Sequence, residues 1–464
     1  MTRIAVIGGG IAGLTAAFAL QERGADVALF EASDRLGGKI RTERAGDLLI
    51  DAGPDSFLST KPAALQLVER LGLGERLINT LPDGGGTFIL RDGRLVPLPE
   101  GITLLVPADV RAIARTPLLS PLGKLRMAMD YVIPARRSEA DESVGHFVRR
   151  RVGREAFERM AEPLLSGIYA GDADRLSLLS TFPRLRQIER EHGSVIKGAI
   201  AQRRQAQSAA PASTAPHHTP FVSLAGGLGE LVDALAERIS PAQLHLRAPV
   251  VSVSDDGAGV TLALTAGTPW RFDGALIATP APAAAAMLAA DAALDTALRA
   301  IPYVSSATIS LAFNAIDISN RQCGRGFVIP RAEGRALTAV TWTSHKFGGR
   351  APESVALLRG FAGRAGSQEV AFLPDDDLIA LARTELHDIL GIDAEPILAR
   401  VHRWPDAMPQ YILGHQETLA AIDRSLAAHP RLALTGAAYR GVGIPDCISD
   451  ATAQASALAD RLTG

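Results

Sequence analysis

Cysteine is nearly absent from this 464-residue chain, which has only Cys323 and Cys447. Two thiols so far apart exclude a disulfide-stapled extracellular framework and lack metal-ligand spacing. The expectation is therefore a cytoplasmic protein without a bound metal. A dominant charge is missing as well. The 48 basic and 50 acidic residues nearly cancel, so nothing global points to a nucleic-acid partner. Long apolar runs are also lacking. Ala275–Ala290, the longest, is mostly alanine and carries Pro280 and Pro282, which disqualifies it as a spanning helix of about 20 residues. The apolar start of the chain has no cleavage pattern behind it, so no secretory signal is expected, and membrane contact is at most peripheral. The length exceeds what one hydrophobic core usually supports, and two or three domains are expected.

Glycine, by contrast, is placed with purpose. Arg3-Ile4-Ala5-Val6-Ile7 has strand length and empties into Gly8-Gly9-Gly10-Ile11-Ala12-Gly13, then a helical stretch from Leu14 to Arg23. Gly24 closes that helix, Val27–Phe30 reads as a second strand, and Glu31 ends it. This order of strand, G-x-G-x-x-G, helix, strand and acid is what a dinucleotide site requires. Gly8 allows the tight turn, Gly10 the approach of a pyrophosphate, and Gly13 close packing of helix on strand. Free N–H groups at Gly10, Ile11 and Ala12 face the phosphates, and Glu31 faces the ribose hydroxyls. The second glycine pair, in Arg35-Leu36-Gly37-Gly38-Lys39, favours FAD over NAD. Its E-A-x-x-R-x-G-G-K pattern resembles the amine-oxidase-like branch of the glutathione-reductase-like flavoproteins, in which a loop, here Asp51-Ala52-Gly53-Pro54, approaches the flavin ring. Gly53, Pro54, Asp55 and Ser56 are its expected cofactor contacts.

The rest of the chain interleaves. Pro62 opens a helix, and Thr87–Leu90 with Arg94–Pro97 flank a turn at Arg91-Asp92-Gly93. Helical patterns then dominate to about 206, with 18 Lys/Arg against 12 Asp/Glu from Asp109 to Gln205. Leu224–Gly229 introduces a helix, short strands follow, and Arg431–Gly436 is a buried strand. After Tyr439-Arg440-Gly441-Val442-Gly443 a last helix starts, with Pro445 in its first turn. Its dipole end suits the anionic reduced flavin. The expected fold is α/β. A discontinuous Rossmann-like FAD domain spans 1–60, 221–290 and 425–464. An α+β substrate domain covers 61–105 and 291–424, a helical insert 106–206, and a flexible connector 207–220. No second G-x-G-x-x-G serves a nicotinamide, so electrons should leave to dioxygen or a small acceptor and not to NAD(P).

Three stretches resemble the FAD-dependent coproporphyrinogen and protoporphyrinogen oxidases of haem biosynthesis. They are Gly53-Pro54-Asp55-Ser56-Phe57-Leu58, Pro163–Asp172 with its S-G-I-Y-A-G-D, and Tyr439–Ile448. Trp404-Pro405, Met408–Tyr411 and Gly414-His415 are similar too. The resemblance runs end to end and leans toward the soluble bacterial coproporphyrinogen oxidases. It implies non-covalent FAD held additionally by Val250, Trp404, Gly436, Gly443, Ile444 and Pro445. It also implies six-electron oxidation of a porphyrinogen in three flavin cycles reoxidised by dioxygen, and admits a homodimer. Bridge hydrogen leaves as hydride and pyrrole protons pass to solvent, so no catalytic side chain is demanded.

Gly167 is expected to position the macrocycle, and Phe327, Trp342 and Phe347 either to stack on it or to pack in the core. The substrate propionates need cations. The place where such oxidases often carry Arg or Lys holds Gly84-Gly85-Gly86 here, leaving Lys61, Arg91, Arg184 and Lys346 as candidates. Arg149-Arg150-Arg151 reads as a solvated helix face, or as a contact for anionic lipid. The rival readings are a flavin amine oxidase, a carotenoid desaturase, and a non-catalytic porphyrin carrier.

Overall fold

The computed structural model describes residues 1–99, 102–103, 106–107, 109–208, 218–321 and 324–463. The chain forms two compact units. The first takes Met1–Thr80, His218–Pro302 and Gly414–Gly464, and the second Leu81–His217 and Tyr303–Leu413.

The first unit is built on a five-stranded parallel sheet. Its order is Leu244–His245, Asp26–Phe30, Arg3–Ile7, Gly274–Ile277, Leu432–Leu434. Ile4 to Ile7 are buried on both faces, as a central parallel strand requires. Strand pairing thus joins three remote chain segments in one sheet. The helix Ile11–Glu22 is buried from Ala12 to Leu20, because its small, alanine-rich surface lets neighbours pack all round it. The C-terminal helix Ile444–Thr463 packs on it, and Pro62–Arg70 packs on that helix in turn. Leu67, Val68 and Leu71 therefore lie in the same apolar core as Val6 and Leu14. Residues 61–80 and the paired helices Ala292–Arg299 and His415–Leu426 thus belong with the nucleotide-type sheet, not with the substrate part expected from sequence. Local periodicity shows that a helix has an apolar face, but not which core receives it.

The second unit carries a seven-stranded sheet: Leu398–Pro409, Tyr303–Asn314, Val355–Ala362, Leu337–Trp342, Gly326–Val328, Thr87–Arg91, Arg94–Pro97. Neighbours are antiparallel except Gly326–Val328 beside Thr87–Arg91. Asp92-Gly93 turns the predicted hairpin, both at positive φ. Helix Asp375–Leu390 covers this sheet. The stretch 109–208 is helical. Its starts are fixed by Ser120, Ser143 and Ser177, whose hydroxyls accept the N–H groups of Gly123, His146 and Ser180. Of the expected connector, 207–208 complete the helix Val195–Ser208, whereas 209–217 lie outside the described residues.

The arginine run overturns its sequence reading. Arg151 is fully buried and ion-paired with Asp130 and Glu189, and it donates to the carbonyls of Ile133 and Gly193 at 2.9 Å. Arg150 bridges Glu142 (2.8 Å) and Glu189 (2.6 Å), and Arg186 binds Glu189 at 2.8 Å. Arg149 lies over the Phe157 ring, 3.9 Å from its centroid, and pairs with Asp174. What read as a solvated face is the polar centre of a helical layer. Three arginines in one helical turn cannot all face one side, and the acids that meet them are remote in sequence. Among the described residues, no helix is long and apolar enough to cross a membrane.

Candidate functional site

The first unit assembles a cradle at the C-terminal end of its central strands. Gly8 leaves the strand at φ +106°, and its N–H donates to Phe30 O at 2.8 Å. A Cβ on Gly13 would stand 1.8 Å from Gly8 O, so only glycine lets this helix approach the turn. Gly10 caps the helix with no side chain of its own, and an added Cβ there would meet nothing within 4 Å. The amides of the first turn, at Ile11, Ala12 and Gly13, have no carbonyl one turn back to bind. They form an anion site at a positive dipole end.

Glu31 does more than wait for a ligand. Its Oε2 accepts Gly9 N–H at 2.7 Å and Oε1 accepts Ser33 N–H at 2.8 Å, so one carboxylate fixes the glycine loop and the loop that follows. The segment leading to Val250 runs alongside, Arg247 and Ala248 donating to Ser33 O (2.8 Å) and Glu31 O (2.9 Å). Gly37 N–H binds Gly9 O at 2.8 Å, and a Cβ on Gly38 would stand 3.2 Å from Gly10 Cα. The two glycine clusters thus back onto each other.

Arg35 is held within the same turn. Its guanidinium folds onto the carbonyls of Leu36 (3.2 Å), Gly38 (2.6 Å) and Ile40 (3.4 Å), so it shapes the glycine turn instead of reaching outward. Lys39 behaves oppositely. Its ammonium makes no hydrogen bond or ion pair with any described residue, and burial holds it below the ordinary lysine range. Near it Cys447 is buried, and burial above all pushes its thiol up to about 12. A half-buried cation without a partner among the described residues, a free helix start and a gap at Gly10 fit a phosphate-bearing dinucleotide.

The remaining expected residues of this unit line its loops. Asp51, the first residue of the loop expected to approach the flavin, accepts Thr42 Oγ1 (2.6 Å) and Leu228 N–H (3.2 Å) on its Oδ1. It thereby ties the Gly53-Pro54-Asp55-Ser56 loop to the start of helix Gly229–Glu237. Asp55 is buried; its Oδ1 accepts Ser56 Oγ at 2.7 Å and its carbonyl accepts Ser223 Oγ at 2.6 Å. Gly436 follows the last sheet strand at φ +121°, next to Thr435, whose hydroxyl donates to Asp450 Oδ2 at 2.6 Å. Gly443 precedes Ile444 and Pro445 at the start of the C-terminal helix, and its carbonyl accepts Cys447 N–H at 2.9 Å. Asp446 in that first turn holds Lys61 Nζ at 2.6 Å, so Lys61 is not an unengaged propionate cation.

Five expected residues belong to the second unit. Gly167 lies on the exposed side of helix Glu162–Tyr169, where a Cβ would find open space. Phe327 (2 % exposed) and Trp342 (1 %) are part of the sheet's apolar core, and Phe347 is fully buried. Trp342 stacks on His345 at 5.1 Å. As the structure stands, these rings pack the interior and offer no bare face. Trp404 is on the strand Leu398–Pro409, opposite Ser306. Among the other cations, Arg91 binds Pro117 O, Lys346 lies over the Phe347 ring, and Arg184 is exposed.

Comparison with known proteins agrees with this architecture. Residues 11–459 match the family described as flavin containing amine oxidoreductase. A Bacillus subtilis protein named coproporphyrinogen III oxidase is 38% identical, over 99% of this chain and 98% of that one. A Staphylococcus aureus protein of the same name is 33% identical over 96% of each. A solved structure from Exiguobacterium, described as a protoporphyrinogen oxidase, is 31% identical, covers 100% of this chain and 99% of its own, and superposes with a TM-score of 0.86. An amine-oxidase-like flavoprotein fold, a cradle of glycine backbone and a full-length match lead to one statement: the chain belongs to the flavin containing amine oxidoreductases, the flavin-dependent oxidases among them.

Proposed function

We propose that the protein oxidises coproporphyrinogen III to coproporphyrin III, a six-electron reaction of porphyrin biosynthesis, with non-covalently bound FAD and dioxygen as acceptor. The observation that carries this reading is likeness over essentially the whole length to proteins named for that reaction. The bound flavin supplies hydride acceptance, two electrons at a time, and delivery of those electrons to dioxygen. The chain supplies the grip. The N–H groups of the first helical turn and the Lys39 ammonium neutralise the pyrophosphate, while Glu31 keeps the loop in shape and has lone pairs left for ribose hydroxyls. Gly443 and the start of the C-terminal helix bring a positive dipole end to the anionic ring. Pyrrole N–H protons can leave to water, so no side-chain base is assigned, and Gly167 serves to leave room for the macrocycle.

Aerobic incubation with coproporphyrinogen III should yield fluorescent coproporphyrin III and three equivalents of hydrogen peroxide, without NAD(P). Rates no higher than the spontaneous blank, beside brisk oxidation of an amine, would sink the assignment. Because the Exiguobacterium relative is described as a protoporphyrinogen oxidase, protoporphyrinogen IX is the second substrate to test. It is expected to be usable but poorer. Heat or acid should release intact FAD, since the buried, protonated Cys447 is no flavin ligand. We place the enzyme in the cytoplasm, in keeping with its low cysteine content.

A further inference from the structure

Four charged groups gather where the loop Gly363–Gly366 meets the end of helix Glu162–Tyr169, and three of them are satisfied. Arg331 Nε binds Glu162 Oε1 at 3.0 Å, and its terminal nitrogens donate to Ala365 O (2.9 Å) and Gly171 O (3.1 Å). Glu385 accepts the N–H groups of Ala336 and Leu337 at 2.7 and 3.3 Å. Arg364 is the exception. It is 6 % exposed, yet its side chain makes no ion pair or hydrogen bond with any described residue, and Nη1 is sealed from water without an acceptor. Burial first, and repulsion from Arg331 second, hold it below the ordinary arginine range, and attraction to Glu162 and Glu385 offsets them only in part.

A second orphan is on the facing helix. Ser166 is 3 % exposed and its hydroxyl has no hydrogen-bond partner among the described residues. One residue later Gly167 borders open space. The loop is bound to this helix end by Ala365 N–H, which donates to Ala170 O at 2.7 Å. A guanidinium withdrawn from water, with Glu162 and Glu385 only near it and no acceptor on its buried Nη1, is poorly compensated, and a methionine of similar length would serve the fold as well. The arrangement makes sense when an anion arrives with the ligand, and the planar fork of arginine matches a carboxylate.

We propose that Arg364 anchors a propionate carboxylate of the tetrapyrrole, with Ser166 Oγ as a second donor, an assignment that rests on the porphyrinogen reading above. It supplies the cation that Gly84-Gly85-Gly86 lack and that Lys61, paired with Asp446, cannot provide.

The test compares binding of coproporphyrin III and its tetramethyl ester, followed by fluorescence titration of the FAD-loaded protein. Wild type should prefer the acid to the ester. Arg364→Met should weaken the acid about 30-fold or more, leave the ester unchanged, and not lower the melting temperature. Arg364→Lys should retain part of the preference. Equal wild-type affinity for acid and ester overturns the proposal without any variant, as does an Arg364→Met protein that keeps the preference. If Arg364→Met does not fold, the arginine holds the structure together and the proposal also falls. Failure of the parent reading looks different, because wild type would then neither bind coproporphyrin III nor oxidise its porphyrinogen.

Discussion

The glycine cradle of the first unit and the ionic layer of the second solve opposite problems. The cradle gathers partial charges, amides and carbonyls, at positions where side chains have been removed, and leaves a lysine unmatched. The layer gathers whole charges, Arg150, Arg151, Arg186, Asp130, Glu142 and Glu189, and matches every one inside the protein. Open valence in the first region is what a cofactor can use. Closed valence in the second leaves nothing for a ligand and serves only to hold helices in register. Arg364 follows the logic of the cradle although it lies in the unit that contains the ionic layer.

If that distinction holds, the two regions break differently. Arg151→Met should have the largest effect on stability, about 3–5 kcal/mol, because Asp130 and Glu189 are left buried beside an uncharged chain. Chemical denaturation should show it, while flavin per folded molecule stays at the wild-type ratio; loss of flavin in a folded variant would mean that the layer is coupled to the cofactor. Gly13→Ala is expected to cost about 1–3 kcal/mol through its clash with Gly8 O, and also to empty the protein of flavin, read from absorbance of the purified variant. Glu31→Gln should fold normally and lose about tenfold in FAD affinity, as the charge-assisted bonds to Gly9 and Ser33 weaken. Unaltered affinity would show that the carboxylate charge does not organise the loop.

The smallest effect is an acid limb. Burial opposes ionisation of Glu142 and Glu189, but hydrogen bonds and charge from their arginines outweigh it and hold both below the ordinary glutamate range. Carboxylates with lowered folded-state values stabilise fully above the unfolded value, about 4.3, and lose that contribution as pH falls through the folded values. Melting temperature should therefore decline below about pH 4, and less so in a Glu142→Gln background.

The cradle could be read from sequence because its chemistry is local: Gly8, Gly10, Gly13 and Glu31 lie within one strand-helix-strand unit, and each glycine answers a steric demand of its neighbour. The ionic layer could not. Arg151 looks the same in a chain whether it meets water or Asp130, and its acids stand 21 and 38 residues away. The contacts of Arg35 were hidden for a related reason. The pattern names the residue, but only geometry reveals that its donors turn back on Leu36, Gly38 and Ile40. For Phe327 and Trp342 an apolar strand position gives the same letters in a core as in a binding wall. Arg364, between two glycines in a loop, carried no pattern at all, and its significance is that its side chain finds no hydrogen bond among the described residues.

Cys447 gains meaning from the proposed reaction. Each porphyrin formed would release three molecules of peroxide, an oxidant that attacks thiolates and largely spares thiols. The helix start and Lys39 both favour the thiolate, yet burial pushes the thiol up to about 12, so at neutral pH it stays protonated. On the proposed reading, in which the C-terminal helix start meets the flavin, such a sulfur would be kept chemically silent by its surroundings, and the enzyme should survive many turnovers without sulfenic acid forming at Cys447.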